Sequence, residues 1–376
     1  MLQRIRPQMT MRTLTIFSLL FIGWVGAFMA LIQPTQASPA GVSVPVSPAG
    51  KIASAPAIAV TRQGSVHIVW QQDGGLWYRN WRNGVWSAIE QVAVEGESPT
   101  LATDPYGEIV YLAWEQEFGG NYEIFVRKWD SVNGWSAPHN VSSNDGGSSA
   151  ATLAVSPTGQ IHLIWADTTP GTSTLYHAIS TDGESWPVAL PITNAKGSNP
   201  TAAFDAAGAL HVAWQYRASF AENLRIWTAR YANNAWSAPV AITDGSQQAF
   251  SPDMAGHGGR IALVWQEGTQ VKLALPGNSG WVVNNTQTGS APAVAINSHG
   301  VIEWAWVTNT GLARQFGLSG WTTPTTWSLA GSNALDLATK NTSIGIVWIQ
   351  NDNGSDRVFY NSENLATMYQ PLIMTR

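Results

Sequence analysis

Hydrophobic and polar positions recur along the chain with a period of roughly fifty residues, and each copy ends a short apolar run with tryptophan. His211-Val-Ala-Trp214 is one such run, in which alternate side chains point to opposite faces of a strand. The seven tryptophans are Trp70, Trp114, Trp165, Trp214, Trp265, Trp306 and Trp348. Repeats of this length, built from short strands and turns, are typical of a β-propeller. We therefore expect these tryptophans to lie in the core between blades.

One repeat predicts four strands separated by polar turns. In the fourth copy the expected strands are Pro200–Phe204, Leu210–Gln215, Asn223–Tyr231 and Trp236–Thr243. Four antiparallel strands with short connections make one propeller blade. The sequence thus predicts an all-β protein with a single propeller of about seven four-stranded blades. Six blades remain an alternative if the weak final repeat packs differently.

The turn after the first strand recurs with the same chemistry. It begins with Asp, Asn or Ser and ends with glycine three residues later, as in Asp104-Pro-Tyr-Gly107, Ser156-Pro-Thr-Gly159, Asp205-Ala-Ala-Gly208 and Asn297-Ser-His-Gly300. A side-chain acceptor at the start and a residue free to take positive φ at the end favour a type I turn followed by a bulge. We therefore expect carboxylates such as Asp205 to brace turns rather than to catalyse a reaction.

The ends of the repeat array predict how the ring closes. The last repeat lacks an obvious fourth strand after Tyr360, while Val44-Pro-Val-Ser47 resembles Ala238-Pro-Val-Ala241 of the fourth copy. We expect residues 43–48 to supply the outer strand of the last blade. Pairing the two chain ends in this way removes open strand edges that would otherwise invite aggregation.

The N-terminus differs from the rest of the chain. Three arginines precede an apolar stretch over residues 14–32, which ends near Thr35-Gln-Ala37. This pattern favours a secretory signal peptide, with an uncleaved membrane anchor as the alternative. We divide the chain into a signal or anchor at 1–37, a propeller at 38–363 and an unassigned tail at 364–376. Either reading predicts a protein that is secreted or tethered outside the cytoplasm.

Composition excludes several kinds of function. The chain has no cysteine, and removing residues 1–37 would take three arginines and no acid, lowering the net charge from −5 to about −8. An acidic chain without a basic cluster argues against nucleic acid as a partner. His67, His162 and His211 share one strand register, but equivalent positions of different blades lie around a ring, so we expect no metal site. No cofactor is expected, and a monomer is predicted.

A second motif follows the third strand. Ser180-Thr-Asp182-Gly183-Glu-Ser-Trp186 resembles the Asp-box of sialidase-like (BNR-repeat) propellers, although it is one residue short between Asp182 and Trp186. Degenerate copies include Asn83-Gly-Val-Trp86, Asn133-Gly-Trp135 and Ser279-Gly-Trp281. The resemblance covers nearly the whole chain after the leader and implies a propeller fold. Sialidases have six blades, however, whereas seven second strands are counted here.

The resemblance also implies a test for catalysis. Sialidases hold the substrate carboxylate with three arginines, one of them in an Arg-Ile-Pro motif, and attack with a tyrosine assisted by glutamate. The only similar string here, Arg4-Ile-Arg-Pro7, precedes the apolar leader and cannot lie in the propeller. A weak catalytic alternative recruits Arg357, Tyr360 and Glu303. The sequence therefore favours a protein without catalysis, and a sialidase-type glycoside hydrolase (exo-α-sialidase) is the alternative.

Polar residues follow the second strands and predict a ligand site at the mouth of the central channel. The candidates are Gln71, Glu115, Asp167, Gln215, Arg217, Gln266 and Gln350. Amides and carboxylates near aromatic rings suit the hydroxyl groups of sugars. We expect the partner to be a glycan or an extracellular protein, while simple solvent exposure of these loops remains the alternative.

Overall fold

The computed structural model describes residues 43–364, apart from residues 258, 279, 319, 330, 341 and 342. These residues form seven antiparallel sheets arranged as a ring, so the propeller prediction is confirmed and the blade number is seven rather than six. Within the described ranges, no helix is long and apolar enough to cross a bilayer. The predicted leader at 1–37 and residues 365–376 of the predicted tail lie outside the described residues.

The first four blades follow one another along the chain, and each begins with its innermost strand. Blade one contains β2 (Ala53–Val60), β3 (Val66–Gln72), β4 (Gly75–Arg82), β5 (Val85–Trp86) and β6 (Glu90–Ala93). Blade two contains β7 (Glu97–Thr103), β8 (Val110–Phe118), β9 (Asn121–Asp130), β10 (Gly134–Trp135) and β11 (His139–Asn140). Blade three contains β12 (Ser148–Val155), β13 (Ile161–Asp167), β14 (Thr174–Ser180) and β15 (Leu190–Lys196). Blade four contains β16 (Ser198–Phe204), β17 (Leu210–Tyr216), β18 (Arg225–Ala232), β19 (Ala235–Trp236) and β20 (Val240–Ala241).

The last three blades complete the ring. Blade five contains β21 (Ala249–His257), β22 (Arg260–Glu267), β23 (Gln270–Gly277) and β24 (Gly280–Thr288). Blade six contains β25 (Ser290–Ile296), β26 (Ile302–Thr308), β27 (Gly311–Gly317) and β28 (Thr325–Ser328). Blade seven contains β29 (Leu335–Lys340), β30 (Ser343–Asp352) and β31 (Ser355–Asn364), and its outermost strand is β1 (Val44–Pro45).

Ring closure joins the two ends of the described chain. In the antiparallel β1–β31 pair, Val44 lies opposite Tyr360 and Pro45 opposite Phe359. Beyond β1, the Val46 amide donates to the Val358 carbonyl at 2.8 Å, and the Ser47 hydroxyl accepts from the Val358 amide at 2.9 Å. The prediction that residues 43–48 supply the outer strand of the last blade is therefore confirmed.

The seven repeated tryptophans lie between blades, as predicted. Each is at most 2% exposed. Six of them pack against buried side chains of the preceding blade, and the seventh, Trp348, contacts the ring of Trp327 in blade six at 5.9 Å. Trp114 of blade two, for example, lies in one cluster with Leu76 and Tyr78 of blade one. Burying one such ring removes up to about 250 Å² from water, so these side chains dominate the packing between blades.

The outer strand is interrupted in three blades. In blade four, Trp236–Thr243 was expected as one strand, but Pro239 separates β19 from β20 because proline cannot donate to the ladder. The Ser237 hydroxyl accepts the Arg230 amide proton at 3.0 Å. Ser87 and Ser136 do the same in blades one and two. In the repeated Trp-Ser-Ala sequence the serine amide still donates to the third strand, while the serine hydroxyl replaces a backbone carbonyl as the acceptor.

The turns between first and second strands mostly follow the predicted pattern. Gly159, Gly208 and Gly300 have φ values of 88°, 78° and 74°, as the type I turn with a bulge requires. Gly107 differs, because the turn after β7 is one residue longer and closes between the Asp104 amide and the Ile109 carbonyl. The expectation of positive φ at Gly107 was therefore wrong.

Candidate functional site

The mouth of the central channel lies where the innermost strands begin and the second strands end. A cavity of about 600 Å³ opens there. Its polar lining comes from blades two to five and from the segment before blade seven, namely Ser98, Glu115, Ser149, Asn199, Ser251 and Asn333. Among the described residues that line it, Glu115 is the only ionisable side chain. We call this cavity the mouth.

A repeated backbone irregularity shapes the mouth. In six blades the innermost strand carries a left-handed residue at its start, where its pairing with the second strand shifts register. These residues are Ala55, Ser98, Ala150, Asn199, Ser251 and Ala291, with φ between 44° and 52°. Proline follows five of the six, and proline is tolerated at a strand bulge because no ladder donor is needed there. The bulges turn these residues toward the mouth, where five of the six line the cavity.

Four of the predicted ligand residues directly follow the repeated tryptophan and reach the rim of the mouth. Glu115 accepts a hydrogen bond from the Ala150 amide of the next blade at 2.7 Å. Gln215 and Gln266 accept from the Ser251 and Ala291 amides of their next blades at 3.2 and 3.3 Å. Gln71 accepts from the Ser54 hydroxyl of its own blade at 3.4 Å. Glu115, Gln215 and Gln266 therefore hold the backbone of the rim in place, and Glu115 itself lines the cavity.

The electrostatics of the mouth centre on Glu115. Desolvation by burial raises the pKa of this carboxyl group above its ordinary value, although the Ala150 and Ser98 hydrogen bonds act in the opposite direction. Half-buried beside hydroxyl and amide groups, the carboxylate can accept hydrogen bonds from a bound ligand.

Two other predicted residues lie two positions after the repeated tryptophan instead of one, and their side chains turn toward the core. Asp167 and Gln350 accept the indole N–H of Trp165 and Trp348, each at 3.2 Å. Gln72, Gln116 and Glu267 do the same for the tryptophans of blades one, two and five. This spacing is a repeated device that gives a buried indole its acceptor.

Asp167 is buried and bonded on several sides. Burial opposes its ionisation, but hydrogen bonds from Thr169, Asn144 and Ser148 outweigh that effect and lower its pKa. The geometry gives Asp167 a role in joining β12, β13 and the preceding loop. Arg217, the remaining candidate, lies in the loop after β17, with its guanidinium 4.7 Å from the centre of the exposed Phe220 ring.

The residues of the catalytic alternative are engaged at separate places. Glu303 lies fully buried in β26 and pairs with Arg314 at 3.6 Å. Arg357 in β31 donates to Asp352 at 2.6 Å and to the Ser47 carbonyl at 2.8 Å. Tyr360 is buried in the interface of blades seven and one, with its ring edge-to-face on Trp86 at 5.4 Å. Burial raises the pKa of Tyr360, which disfavours the ionised nucleophile.

The Asp-box-like hairpin braces the opposite end of blade three. Asp182 accepts from the backbone amides of Ser185 and Glu184 at 2.7 and 2.9 Å, and these bonds hold the pKa of its carboxyl group far below the ordinary range. Gly183 has positive φ and lies against the ring of Tyr111 in blade two, so a side chain there would clash. This hairpin therefore secures the contact between two blades.

Sequence reasoning missed a pair of acids inside the channel. Asp253 of β21 and Asp336 of β29 occupy equivalent positions on the innermost strands, where blades two, three and four have threonine. Both line a cavity of about 350 Å³ within the channel. Aligning the first strands of the repeats would have revealed two acids in place of Thr or Ala.

Each channel acid bridges two blades. Asp253 accepts from the Val294 amide of blade six at 2.8 Å, and Asp336 accepts from the Ile58 amide of blade one at 2.9 Å. Burial within the ring, together with the charge of Asp253, raises the pKa of Asp336 to about 7. Burial also raises the pKa of Asp253. Although both side chains border the channel and are partly accessible to solvent, the surrounding strands leave them poorly hydrated.

Comparisons with known proteins identify the architecture. Neither the protein-family models nor the curated proteins contain a match to this chain. Among solved structures, the α-L-arabinanase of Penicillium chrysogenum aligns with a TM-score of 0.54 at 11% identity over 88% of this chain and 99% of its own. An ulvan lyase aligns with a TM-score of 0.59 at 9% identity over 84% of this chain and 94% of its own.

A Hadza microbial sialidase aligns with a TM-score of 0.51 at 11% identity over 80% of this chain and 73% of its own. At these identities the likeness concerns the fold alone. The resemblance to sialidase-like propellers is therefore confirmed as a resemblance of architecture.

Proposed function

We propose that this protein is an exported, non-catalytic β-propeller that binds a neutral glycan at the mouth. The observation that carries the proposal is the lining of the 600 Å³ cavity, which presents hydroxyl and amide side chains around a single carboxylate. Sugar hydroxyls are recognised by such groups through paired donor and acceptor bonds. A cavity of this volume falls within the range that small-molecule sites occupy.

The charge of the mouth supports a neutral ligand rather than an acidic one. A sialic acid carboxylate calls for arginine, whose planar fork binds it bidentately. Among the described residues that line the mouth there is no lysine or arginine. Glu115 would repel a carboxylate placed in the cavity. The sialidase-type alternative therefore lacks the group that the resemblance requires.

The known proteins of similar fold support a glycan in general terms. The arabinanase structure contains arabinobiose, and an ulvan lyase structure contains a glucuronate–rhamnose sulfate oligosaccharide. Exposed aromatic side chains are also present at this end of the molecule. Phe118 and Tyr122 are 59% and 40% exposed and lie at the tip of the hairpin formed by β8 and β9. Aromatic rings at such a surface offer stacking faces for sugar rings.

Binding to a glycan array tests the proposal, using residues 38–376. Wild-type protein should bind a neutral glycan class, and Asn333→Ala at the mouth should weaken that binding by about five- to thirtyfold through loss of one or two hydrogen bonds. Gln160→Ala is the matched control, because Gln160 is exposed at the opposite end. A folded wild-type protein that binds no glycan would refute the proposal.

Turnover separates binding from catalysis. The protein should release no product from a fluorogenic sialoside or an aryl arabinofuranoside at high protein concentration. Hydrolysis that Tyr360→Phe abolishes would instead establish the sialidase-type alternative. Binding retained by Asn333→Ala at wild-type affinity would show that the ligand lies elsewhere on the propeller.

A further inference from the structure

The hairpin of blade two projects beyond most of its counterparts at the mouth end. β8 continues four residues past Trp114, to Phe118, whereas the second strands of blades one, three, four, five and six end two residues past their tryptophans. Two more residues in each strand lengthen the hairpin by about 7 Å. Since Phe118 is 59% exposed, this extension adds little to the core of the blade.

The tip of this hairpin presents a braced aromatic ring. Phe118 contacts Phe125 edge-to-face at 5.8 Å, and Phe125 stacks on the buried Trp114 at 5.7 Å. The exposed ring is thus anchored to the interface of blades one and two. Gly119 and Gly120 follow it, both at positive φ and with open space around them, so no side chain of the turn covers the ring.

A polar pocket lies beside the ring. Its volume is about 400 Å³, and its lining includes Phe118, Asn121, Glu123, Asn140, Asn144 and Asp145. We call it the blade-two pocket. The lining comes from the hairpin on one side and from the connection to blade three on the other.

Hydrogen bonds fix the shape of the blade-two pocket before any ligand arrives. Asn121 donates to the carbonyls of Asn144 and Gly146 at 2.9 and 2.8 Å. Glu123, 3% exposed, accepts from the Ser142 hydroxyl and from the Asn144 amide. Asn144 in turn donates to Asp167 at 2.7 Å, which ties the pocket to blade three. A preorganised site binds without the entropic cost of ordering its loops.

The rim of the pocket has a carboxylate available to accept hydrogen bonds from a ligand. Asp145 is exposed, and among the described residues its carboxylate has no hydrogen-bond partner. Asp145 borders this pocket while Ser149, four residues later, borders the mouth. Four residues span at most about 14 Å, so a single short linear ligand can reach both the blade-two pocket and the mouth.

We infer that the blade-two pocket is a second carbohydrate subsite, in which one ring of a neutral oligosaccharide stacks on Phe118 while another occupies the mouth. The apolar face of a sugar ring matches the aromatic ring, and its hydroxyl groups match the amide and carboxylate groups beside it. Glu123 and Asp145 exclude anionic sugars by charge repulsion. This inference rests on the proposed function of the mouth.

The test uses neutral oligosaccharides of increasing length, from monosaccharide to hexasaccharide, of the class bound by the wild-type protein. Titration calorimetry should show affinity rising with length until both places are spanned. Phe118→Ala should abolish that gain, which corresponds to about five- to tenfold for one aromatic contact, and should leave monosaccharide binding at the mouth unchanged. Phe118→Trp should restore the gain.

Phe220→Ala is the matched control, because Phe220 is an exposed aromatic residue at the same end of blade four. It should retain the length dependence. If wild-type protein binds glycans and Phe118→Ala keeps the full gain with length, the subsite is refuted and the mouth remains. If folded wild-type protein binds no oligosaccharide, the proposed function fails and the subsite with it. Binding of polygalacturonate through Phe118 would refute the preference for neutral sugars.

Discussion

The interfaces between blades and the central channel both hold ionisable groups, and burial shifts their pKa values in opposite directions. Between blades three and four, His162 and His177 approach at 2.9 Å, and burial lowers their pKa values to about 4 and about 3. In the channel, burial and the charge of Asp253 raise the pKa of Asp336 to about 7. The physical cause is shared, because a charge is poorly solvated inside the ring.

The two shifts have opposite consequences for stability. Between pH 6.5 and about 4 the unfolded chain protonates these histidines while the folded protein does not, so the free energy of unfolding falls as pH falls. Asp336 behaves in reverse. Between pH 3.8 and about 7 the folded protein holds a proton that the unfolded chain releases, so the free energy of unfolding falls as pH rises. In mildly acidic solution the two effects on the free energy of unfolding therefore offset each other. Substituting the ionisable group of one region should reveal the pH dependence that the other region causes.

The largest effect is expected from breaking an interface directly. Trp165→Ala should lower the free energy of unfolding by about 3–5 kcal/mol, because Trp165 is fully buried between blades two and three. The variant would also leave Asp167 without its indole donor. Urea unfolding followed by tryptophan fluorescence measures the loss. Phe220→Ala, at an exposed aromatic residue, should change stability by less than about 0.5 kcal/mol. A loss below about 1 kcal/mol for Trp165→Ala would contradict the dominant role of these rings.

The interfaces could be predicted from the sequence because each blade repeats them. The tryptophan register, the Asn- and Asp-based turns and the closing strand at Val44 all follow from local patterns that recur. The channel acids stand out once the first strands are aligned, but the effect of Asp253 on the pKa of Asp336 could not be predicted, since the two carboxyl groups interact only when the ring closes. Of the predicted ligand residues, the structure places only Glu115 in the lining of the mouth. The position after the tryptophan explains the difference. Glu115 directly follows Trp114 and reaches the cavity, whereas Asp167 lies two positions after Trp165 and turns to its indole.

Phe118 shows a second limit of the sequence. Its exposure depends on β8 continuing past the usual strand end, and no repeated residue marks that extension. The pocket beside it is formed by this hairpin and by the loop that leads to blade three, and the shape of that loop depends on hydrogen bonds with Asn121 and Glu123. Irregular features of this kind depend on tertiary contacts rather than on the repeat, and they are where loops of a propeller acquire function.

An intermediate effect is expected from removing one histidine of the interface pair. His177→Phe keeps an aromatic ring against Tyr231 and Trp236 but cannot take up a proton. The wild-type protein should lose stability on the order of 1 kcal/mol per pH unit for each such histidine as pH falls below 6, and the variant should lose correspondingly less. Chemical denaturation between pH 7.5 and pH 4.5 measures the slopes. His139→Phe, at an exposed histidine, should keep the wild-type slope. Equal slopes for His177→Phe and wild type would show that the pair does not govern acid stability.

The smallest effect is expected in the channel. Asp336→Asn keeps an oxygen for the Ile58 amide but carries no charge at any pH, so it removes the penalty that ionised Asp336 imposes above pH 7. The Tm at pH 8 should rise by about 2 °C, and the fall of Tm below pH 6 should become steeper because the histidines are no longer offset. Asp145→Asn, at an exposed acid, should change neither. An unchanged pH profile for Asp336→Asn would mean that water in the channel solvates this carboxylate well, and that only the blade interfaces exclude charge.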